Sequence, residues 1–421
     1  MAEEAQIRHM SCDFCGKARS EVEKLIVAND AAICNECIDL CYNLLDQEKL
    51  DKIKADKKIT KMLDPVKIKR YMDQHVVGQE RAKIALCVSI VNHYKRAFFN
   101  PKIEVEKSNL LMYGPSGSGK TLLAKFAARY LNVPFVIADA TSLTQAGYVG
   151  EDVESLISRL LIEANNDVGK CQQGIVFIDE IDKIARKSES ASLQRDVGGE
   201  GVQQALLKLV EGTTVRISVS GNVKKTTGAD TVEIDTRNIL FIAGGAFEGL
   251  DKILQQRQQG YSIGFVNKQD NVSEVPWALP EDFMKYGMIP EFIGRFPVSV
   301  GLNSLSLEDL TRVLIEPRSS LLEQMSFYFT SDGITLDFED AAILAIAQQA
   351  LDLNIGARGL KTILERLMTP LMYGITEMKK NGVKHLTISE SMITNIDNTT
   401  TEKHESKNSN RTQSRSNQRS S

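Results

Sequence analysis

The sequence lacks the long apolar stretches that mark membrane proteins and secreted proteins. No segment approaches the roughly 20 consecutive apolar residues that a membrane helix needs. The first ten residues, MAEEAQIRHM, contain no apolar core of a signal peptide. We therefore expect a protein that has no membrane partner and is located in the cytoplasm.

A strong charge of either sign and recognisable protease motifs are also missing. The 51 Lys and Arg residues nearly balance the 55 Asp and Glu residues, and the formal net charge is −4. This value argues against a surface built for nucleic acid. None of the five histidines lies in a catalytic pattern, and there is no protease triad or metalloprotease motif. We therefore expect no intrinsic protease activity. The 421 residues, 42% of them hydrophobic, fit two to four globular domains.

Cysteine is concentrated near the N-terminus, where four of the seven cysteines form a C-x2-C-x18-C-x2-C pattern. This spacing suits one tetrahedral structural zinc ion. Disulfides or free thiols are the weaker alternative, because paired spacing in a cytosolic protein is more typical of metal binding. The predicted zinc ligands are Cys12, Cys15, Cys34 and Cys37.

The order of apolar and polar segments divides the chain into five predicted regions. They are a zinc-binding domain at 1–48, a charged linker at 49–64, a large domain at 65–305, a small, mainly helical domain at 306–397, and a disordered polar tail at 398–421. The tail contains no apolar side chain that could offset the entropy of ordering.

The large domain alternates strand candidates with helical segments, which predicts an α/β fold with a parallel sheet and flanking helices. Its strand candidates are 109–113, 134–138, 175–178 and 239–243. An inserted β-hairpin is predicted at 214–235. In the small domain, short strands are predicted at 335–336 and 385–388.

A glycine-rich segment follows the first strand candidate and opens a helical segment. Residues 114–121, GPSGSGKT, match the phosphate-binding loop in full and in the strand–loop–helix context that the motif requires. Its glycines let backbone N–H groups converge on phosphate oxygens at a helix N-terminus. Lys120 is predicted to reach the β- and γ-phosphates of ATP, and Thr121 to ligate Mg²⁺. The predicted nucleotide contacts here are Gly114, Pro115, Ser116, Gly117, Ser118, Gly119, Lys120, Thr121 and Leu122.

Two carboxylates end the strand candidate 175–178. Asp179 is predicted to hold Mg²⁺, usually through water, and Glu180 to act as the general base on the attacking water. Acids on a solvated loop would be the ordinary alternative for such a strand end. The phosphate-binding loop in the same chain favours an ATP hydrolase.

Further segments resemble the AAA+ ATPases, and in particular the ClpX family of protein unfoldases. Residues 75–80, HVVGQE, are similar to the segment that packs on adenine, which implies that Val76 and Val77 line the base pocket. One feature departs from the general AAA+ pattern: the strand candidate at 238–243 is followed by glycines and has no obvious polar residue, called sensor 1, at its end. That role is left unassigned.

Two arginines lie in segments that resemble nucleotide-sensing motifs of the family. The segment 289–296, IPEFIGRF, resembles the arginine-finger segment, which implies that Arg295 reaches the γ-phosphate bound by the neighbouring subunit. The segment 356–360, GARGL, resembles the sensor-2 motif, which implies that Arg358 contacts the nucleotide in its own subunit.

Three loops extend the resemblance beyond ATP. Residues 147–150, GYVG, resemble the pore loop of unfoldases, in which Tyr148 and Val149 would grip a polypeptide by apolar contact. Residues 195–204 resemble the second pore loop. A polar stretch carries three residues that resemble the loop that docks on a ClpP-like peptidase, namely Ile263, Gly264 and Phe265. Exposed Ile and Phe on a polar loop would be a liability unless a partner covered them.

The resemblance implies a homohexamer that uses ATP, Mg²⁺ and one structural Zn²⁺ per chain to unfold tagged proteins, delivered by adaptors, into a partner peptidase. It is weaker at 222–225, which lack the Arg-Lys-His triplet that many relatives carry. Three alternatives stay open. They are a stand-alone remodelling chaperone without a peptidase, a nucleic-acid AAA+ motor, and a metal-dependent scaffold without turnover.

Overall fold

A computed structural model describes most of the chain. The described residues are 11–28, 31–41, 62–99, 103–144, 151–186, 199–218, 231–260 and 277–394. Several predicted features lie outside these ranges, namely Tyr148, Val149, Ile263, Gly264, Phe265, the segment 222–225 and the tail 398–421. The chain divides into two compact units, Met1–Asp64 and Pro65–Ser421.

The first unit is a small fold around its cysteines. Strand β1 (Leu25–Ala28) pairs antiparallel with β2 (Ala31–Cys34), and residues 35–41 are helical. Three of the cysteines form a buried cluster, against which a few apolar residues pack. Among the described residues of this unit, that interior is too small to stabilise a fold without an additional cross-link or metal.

The second unit contains a five-stranded parallel sheet with the strand order β11-β3-β10-β7-β4. These strands are β3 (Leu110–Tyr113), β4 (Phe135–Asp139), β7 (Ile175–Asp179), β10 (Leu240–Gly245) and β11 (Val298–Gly301). Every residue of β3 and β10 is buried, as expected for a parallel sheet that is covered on both faces. The predicted α/β class is confirmed, and the order places β10 between the phosphate-loop strand β3 and the acidic strand β7.

Helices surround this sheet. They are α1 (Pro65–Asp73), α2 (Glu80–Phe99), α3 (Lys120–Leu131), α4 (Ser155–Glu163), α5 (Val168–Cys171), α6 (Glu200–Glu211), α7 (Leu250–Gly260), α8 (Pro280–Tyr286) and α9 (Pro290–Gly294). Two short pairs complete this part of the fold: β5 (Leu143–Thr144) with β6 (Glu151–Asp152), and the antiparallel β8 (Thr214–Ser218) with β9 (Thr231–Asp235). The β8–β9 pair confirms the strands of the predicted hairpin.

The C-terminal part is mainly helical and has a core of its own, which includes Leu310, Phe329, Ile346 and Leu364. Its helices are α10 (Leu307–Ile315), α11 (Leu321–Ser331), α12 (Asp340–Asp352), α13 (Ala357–Tyr373) and α14 (Ile375–Lys380). Strand β12 (Thr335–Phe338) pairs parallel with β13 (His385–Ile388), so the first of the two predicted strands is longer than expected. None of the described helices has the length and apolar character that crossing a membrane would require.

Candidate nucleotide and zinc sites

The phosphate loop joins β3 directly to α3. Gly114, Gly117 and Gly119 all have positive φ angles, of 140°, 74° and 103°, which side-chain-bearing residues rarely adopt. A Cβ atom on Gly114 would lie 2.4 Å from the carbonyl oxygen of Leu302. The loop therefore needs glycine both for its turns and for its packing against the segment that follows β11.

Lys120 is held at the centre of this loop. The side chain is buried, and Nζ donates to the carbonyl oxygens of Gly114 at 2.6 Å and Pro115 at 2.9 Å. Burial lowers the pKa of Lys120, and the carboxylates of Asp179 and Asp182 oppose that shift. The ammonium group therefore lies in a pocket where an anionic phosphate would restore its stabilisation.

Thr121 and Asp179 meet at the carboxyl end of the sheet. The Thr121 hydroxyl donates to Asp179 Oδ2 at 3.0 Å. The next residue, Glu180, is exposed, and its N–H donates to Asp179 Oδ1 at 3.0 Å. Glu180 has a φ of 56°, a strained backbone for a residue with a side chain, and such strain is often found at functional sites. A hydroxyl beside a carboxylate is a donor set that fits Mg²⁺.

A cleft of about 500 Å³ runs past these residues and is lined by both domains of the second unit. Arg358 Nη1 donates to Ser116 Oγ at 3.3 Å, and the backbone N–H of Ala357 donates to the Gly117 carbonyl at 3.3 Å. The start of α13 therefore contacts the phosphate loop itself. The lining residues include Ser116, Gly117, Gly119, Lys120, Thr121, Leu122, Asp179, Glu180, Asp182, Lys183, Ala357 and Arg358.

Val76 lies beside the loop, and neither Val76 nor Val77 is among the described residues that line this cleft. Each is 6% exposed, and a Cβ atom on Gly119 would be 4.0 Å from Val76 Cγ1. Their contact with adenine stays a prediction.

Gln79 joins three segments, a role that sequence reasoning missed. Its Nε2 donates to the carbonyl oxygens of Asn303 at 2.8 Å and of Ser118 at 3.4 Å, and its Oε1 accepts from the Asn303 N–H at 3.0 Å. One side chain thus connects the start of α2 to the phosphate loop and to the segment between β11 and the small domain. Gln79 lies within the segment HVVGQE, but that segment was interpreted only through Val76 and Val77, and nothing in it indicates contacts with backbone atoms.

Arg295 lies at the end of α9 and does not line the cleft of its own chain. Its side chain is about half exposed and forms two contacts with Glu211 Oε1, at 2.9 Å from Nε and 2.8 Å from Nη2. Its carbonyl accepts from Asn109 Nδ2 at 2.9 Å. Asn109 is 1% exposed and also accepts from the N–H of Phe241 at 3.3 Å. This buried amide, also missed from sequence, ties the arginine segment to β10.

The four predicted zinc ligands come together in the first unit. All four sulfur atoms lie within 4.8 Å of one another. Cys12 Sγ is 3.9 Å from Cys37 Sγ, and Cys15 Sγ is 3.7 Å from Cys34 Sγ. Four thiolates placed tetrahedrally about 2.3 Å from a zinc ion would be about 3.8 Å apart. The distances therefore fit zinc and are far longer than the S–S bond of a disulfide.

The parallel sheet, the phosphate loop, the paired acids and the helical domain against the loop define an AAA+ ATPase. Three family models match the chain: an AAA domain (Cdc48 subfamily) at residues 105–299, a ClpX C4-type zinc finger at 10–47, and the C-terminal, D2-small domain, of ClpB protein at 305–383. The chain belongs to the ClpX family, as its full-length relatives show. The zinc-finger match and the sulfur geometry together identify the first unit as a zinc-binding domain.

Curated relatives cover nearly the whole chain. The ATP-dependent Clp protease ATP-binding subunit ClpX of Treponema denticola is 48% identical over 396 residues, which are 91% of this chain and 94% of that protein. ClpX 2 of Wolinella succinogenes is 46% identical, over 92% of this chain and 96% of its own length. ClpX of Borrelia duttonii is 45% identical, over 91% of each chain.

Proposed function

We propose that this chain is an ATP-driven protein unfoldase and translocase that works in the cytoplasm as a homohexamer and passes its substrates to a ClpP-like peptidase. The observation that carries the proposal is the contact between the phosphate loop and the small domain, through Ala357 to Gly117 and Arg358 to Ser116. A nucleotide in this cleft touches both domains, so its hydrolysis changes the angle between them. The relatives are named as subunits of an ATP-dependent Clp protease, which supports the same function.

The chemistry at the cleft follows from residues already in place. Lys120 leaves the carbonyl oxygens of its own loop and binds the β- and γ-phosphates. Thr121 and Asp179 would hold Mg²⁺, which would neutralise charge on the phosphates. Glu180 takes a proton from the attacking water as general base. Its exposure in the single chain leaves it free to face the water once the cleft is closed.

Arg295 acts on the neighbouring subunit. Arg295 is not among the described residues that line its own cleft, and its guanidinium is half exposed, which supports a role in trans. To reach a γ-phosphate bound by the neighbouring subunit, Arg295 releases the carboxylate of Glu211 and binds the phosphate instead. Both are oxyanions that an arginine can bind through two N–H groups. The buried amide of Asn109 holds the backbone of Arg295 during this exchange.

The mechanical part of the function depends on residues outside the described ranges. Tyr148 and Val149 would grip the threaded polypeptide, and the three residues Ile263, Gly264 and Phe265 would dock on the peptidase. Substrates would be tagged or unfolded proteins, some delivered by adaptors that bind the zinc domain. These assignments rest on the resemblance of their sequences.

The test is to mix the protein with ATP and a stably folded, tagged fluorescent reporter, with and without a ClpP-like peptidase ring. Loss of fluorescence without the peptidase, and loss of the reporter polypeptide only with it, is the expected result. The matched variant Glu180→Gln should bind ATP and leave the reporter folded. Normal hydrolysis by the wild type without unfolding, unchanged by Tyr148→Ala, would refute the proposal. Unfolding with intact hydrolysis but no degradation would instead indicate a stand-alone remodeller.

A further inference from the structure

Strand β10 ends at the cleft without a polar side chain. Its residues Leu240–Gly245 are all buried, and it pairs with β3 on one side and with β7 on the other. The end of β10 therefore lies between the phosphate loop and Asp179. The general AAA+ pattern has a polar residue here, whereas this chain has Gly244 and Gly245.

A carboxylate from a different segment lies beside the second of these glycines, Gly245. Asp182 lies in the short 3-10 turn Ile181–Ile184, which follows β7, and its Oδ1 accepts from the N–H of Ala246 at 3.1 Å. A Cβ atom on Gly245 would lie only 2.7 Å from that same oxygen. The ring of Phe247 lies 2.6 Å from the same Cβ position, so Asp182 and Phe247 together occupy the place that a side chain at the end of β10 would need.

Asp182 lines the cleft, and its second carboxylate oxygen has no hydrogen-bond donor among the described residues. Asp182 is 5% exposed, and this second oxygen, Oδ2, is buried. The ammonium of Lys183 lies 3.6 Å away, within ion-pair range but too far for a hydrogen bond. Buried carboxylate oxygens almost always accept a hydrogen bond, so the missing donor is expected to arrive with the ligand of the cleft.

We propose that Asp182 is a positioning residue for ATP hydrolysis. One of its carboxylate oxygens fixes the end of β10, and the other accepts a hydrogen bond from water that is bound with the nucleotide. Asp182 thereby replaces, from the β7 side, the polar residue that β10 lacks. This inference rests on the proposed function, because it requires a cleft that hydrolyses ATP.

Two variants separate this role from a structural one. Asp182→Asn keeps an oxygen for the Ala246 N–H but presents an NH₂ group to the cleft, whereas Asp182→Ala removes both acceptors. If Asp182 positions water, both variants should lower kcat at least about tenfold, while KM and the affinity for a fluorescent ATP analogue change less than about threefold. Purified Asp182→Asn should also retain ATP rather than ADP when its bound nucleotide is extracted. Asp352→Asn, an exposed carboxylate of α12, serves as the control and should match the wild type.

The opposite pattern overturns the inference. If Asp182 only holds β10, Asp182→Asn will restore wild-type kcat, and Asp182→Ala alone will be impaired, with a lowered Tm. If Asp182→Ala fails to fold, the Asp182→Asn result decides. The proposed function fails separately, because in that case the wild type itself would not hydrolyse ATP or unfold the reporter.

Discussion

Gly117 of the phosphate loop packs directly against the backbone of Ile355 in the small domain. A Cβ atom on Gly117 would lie 2.4 Å from the Ile355 carbonyl oxygen, and Gly117 also has a φ of 74°. The glycine is therefore needed for the contact between domains as well as for the loop.

Gly117→Ala should consequently separate the small domain from the loop. We expect ATP affinity to fall at least about tenfold, because a strained φ and a steric clash each cost about 1 kcal/mol or more. Titration with a fluorescent ATP analogue measures this loss. Gly374→Ala is the matched control, since its φ is −80° and the nearest atoms to an added Cβ lie 3.6 Å away. Equal affinities in the two variants would contradict the expected role of the contact.

Removing a zinc ligand should unfold the first unit and leave the ATPase intact. Cys34→Ser should reduce bound zinc from one ion per chain to none, since three thiolates do not complete the tetrahedral site. Basal ATP hydrolysis should change less than twofold, because residues 65–421 form a separate unit. Metal analysis and an ATPase assay check both statements. Cys41→Ser, outside the four-cysteine group, should keep its zinc. Retention of a full zinc equivalent in Cys34→Ser would disprove the ligand set.

Arg295→Ala should slow hydrolysis without weakening nucleotide binding. Arginine fingers contribute about 10³-fold or more to kcat in related phosphoryl transfers, so a loss on that order is expected. Arg216→Ala removes another exposed arginine that is paired with a carboxylate, Glu233 at 2.9 Å, and should retain wild-type kcat. Mixed rings test action in trans. Rings of Arg295→Ala alone or of Glu180→Gln alone should hydrolyse little ATP, but in mixed rings a site with an intact Glu180 can receive Arg295 from a Glu180→Gln neighbour, so mixing the two variants should restore part of the activity. Absence of any restoration would exclude action in trans.

His93 should make the fold sensitive to acid. It is 2% exposed, its Nε2 lies 3.0 Å from the Asn238 carbonyl oxygen, and burial lowers the pKa of His93 to about 3. In the unfolded chain the imidazole of His93 binds a proton near pH 6.5, whereas in the folded chain it stays neutral down to about pH 3. Stability from this group is therefore fully present above pH 6.5 and is lost as the pH falls towards 3.

The variant His93→Gln removes that titration. Below pH 6.5, the free energy of unfolding of the wild type should fall more steeply than that of the variant, by at most about 1.4 kcal/mol per pH unit. Chemical denaturation at pH 7, 6 and 5 gives the comparison. Parallel pH dependences for the two proteins would show that His93 can be protonated without unfolding.

Local patterns allowed much of this molecule to be predicted from the sequence. Three features could be identified from residues close together in the sequence: the phosphate loop, the strand before Asp179 and the paired cysteines. The fold class that these features indicated is the observed one. The contact of Arg358 with Ser116 follows the resemblance to a sensor-2 motif rather than any local pattern.

The residues that were missed act through the backbone of distant segments. Gln79 binds the backbone of Asn303, Asn109 binds that of Arg295, and Asp182 binds that of Ala246. A hydrogen bond to a backbone atom leaves no constraint on the partner's side chain, so a single sequence contains no signal of it. Only the missing polar residue after β10 pointed towards one of them.

The partnership of Ser116 with Arg358 spans 242 positions of the chain. During synthesis, the phosphate loop leaves the ribosome long before the helix that completes its cleft, and domains generally fold in the order in which they emerge. A nascent chain can thus form its sheet before Arg358 and the small domain have completed the nucleotide site.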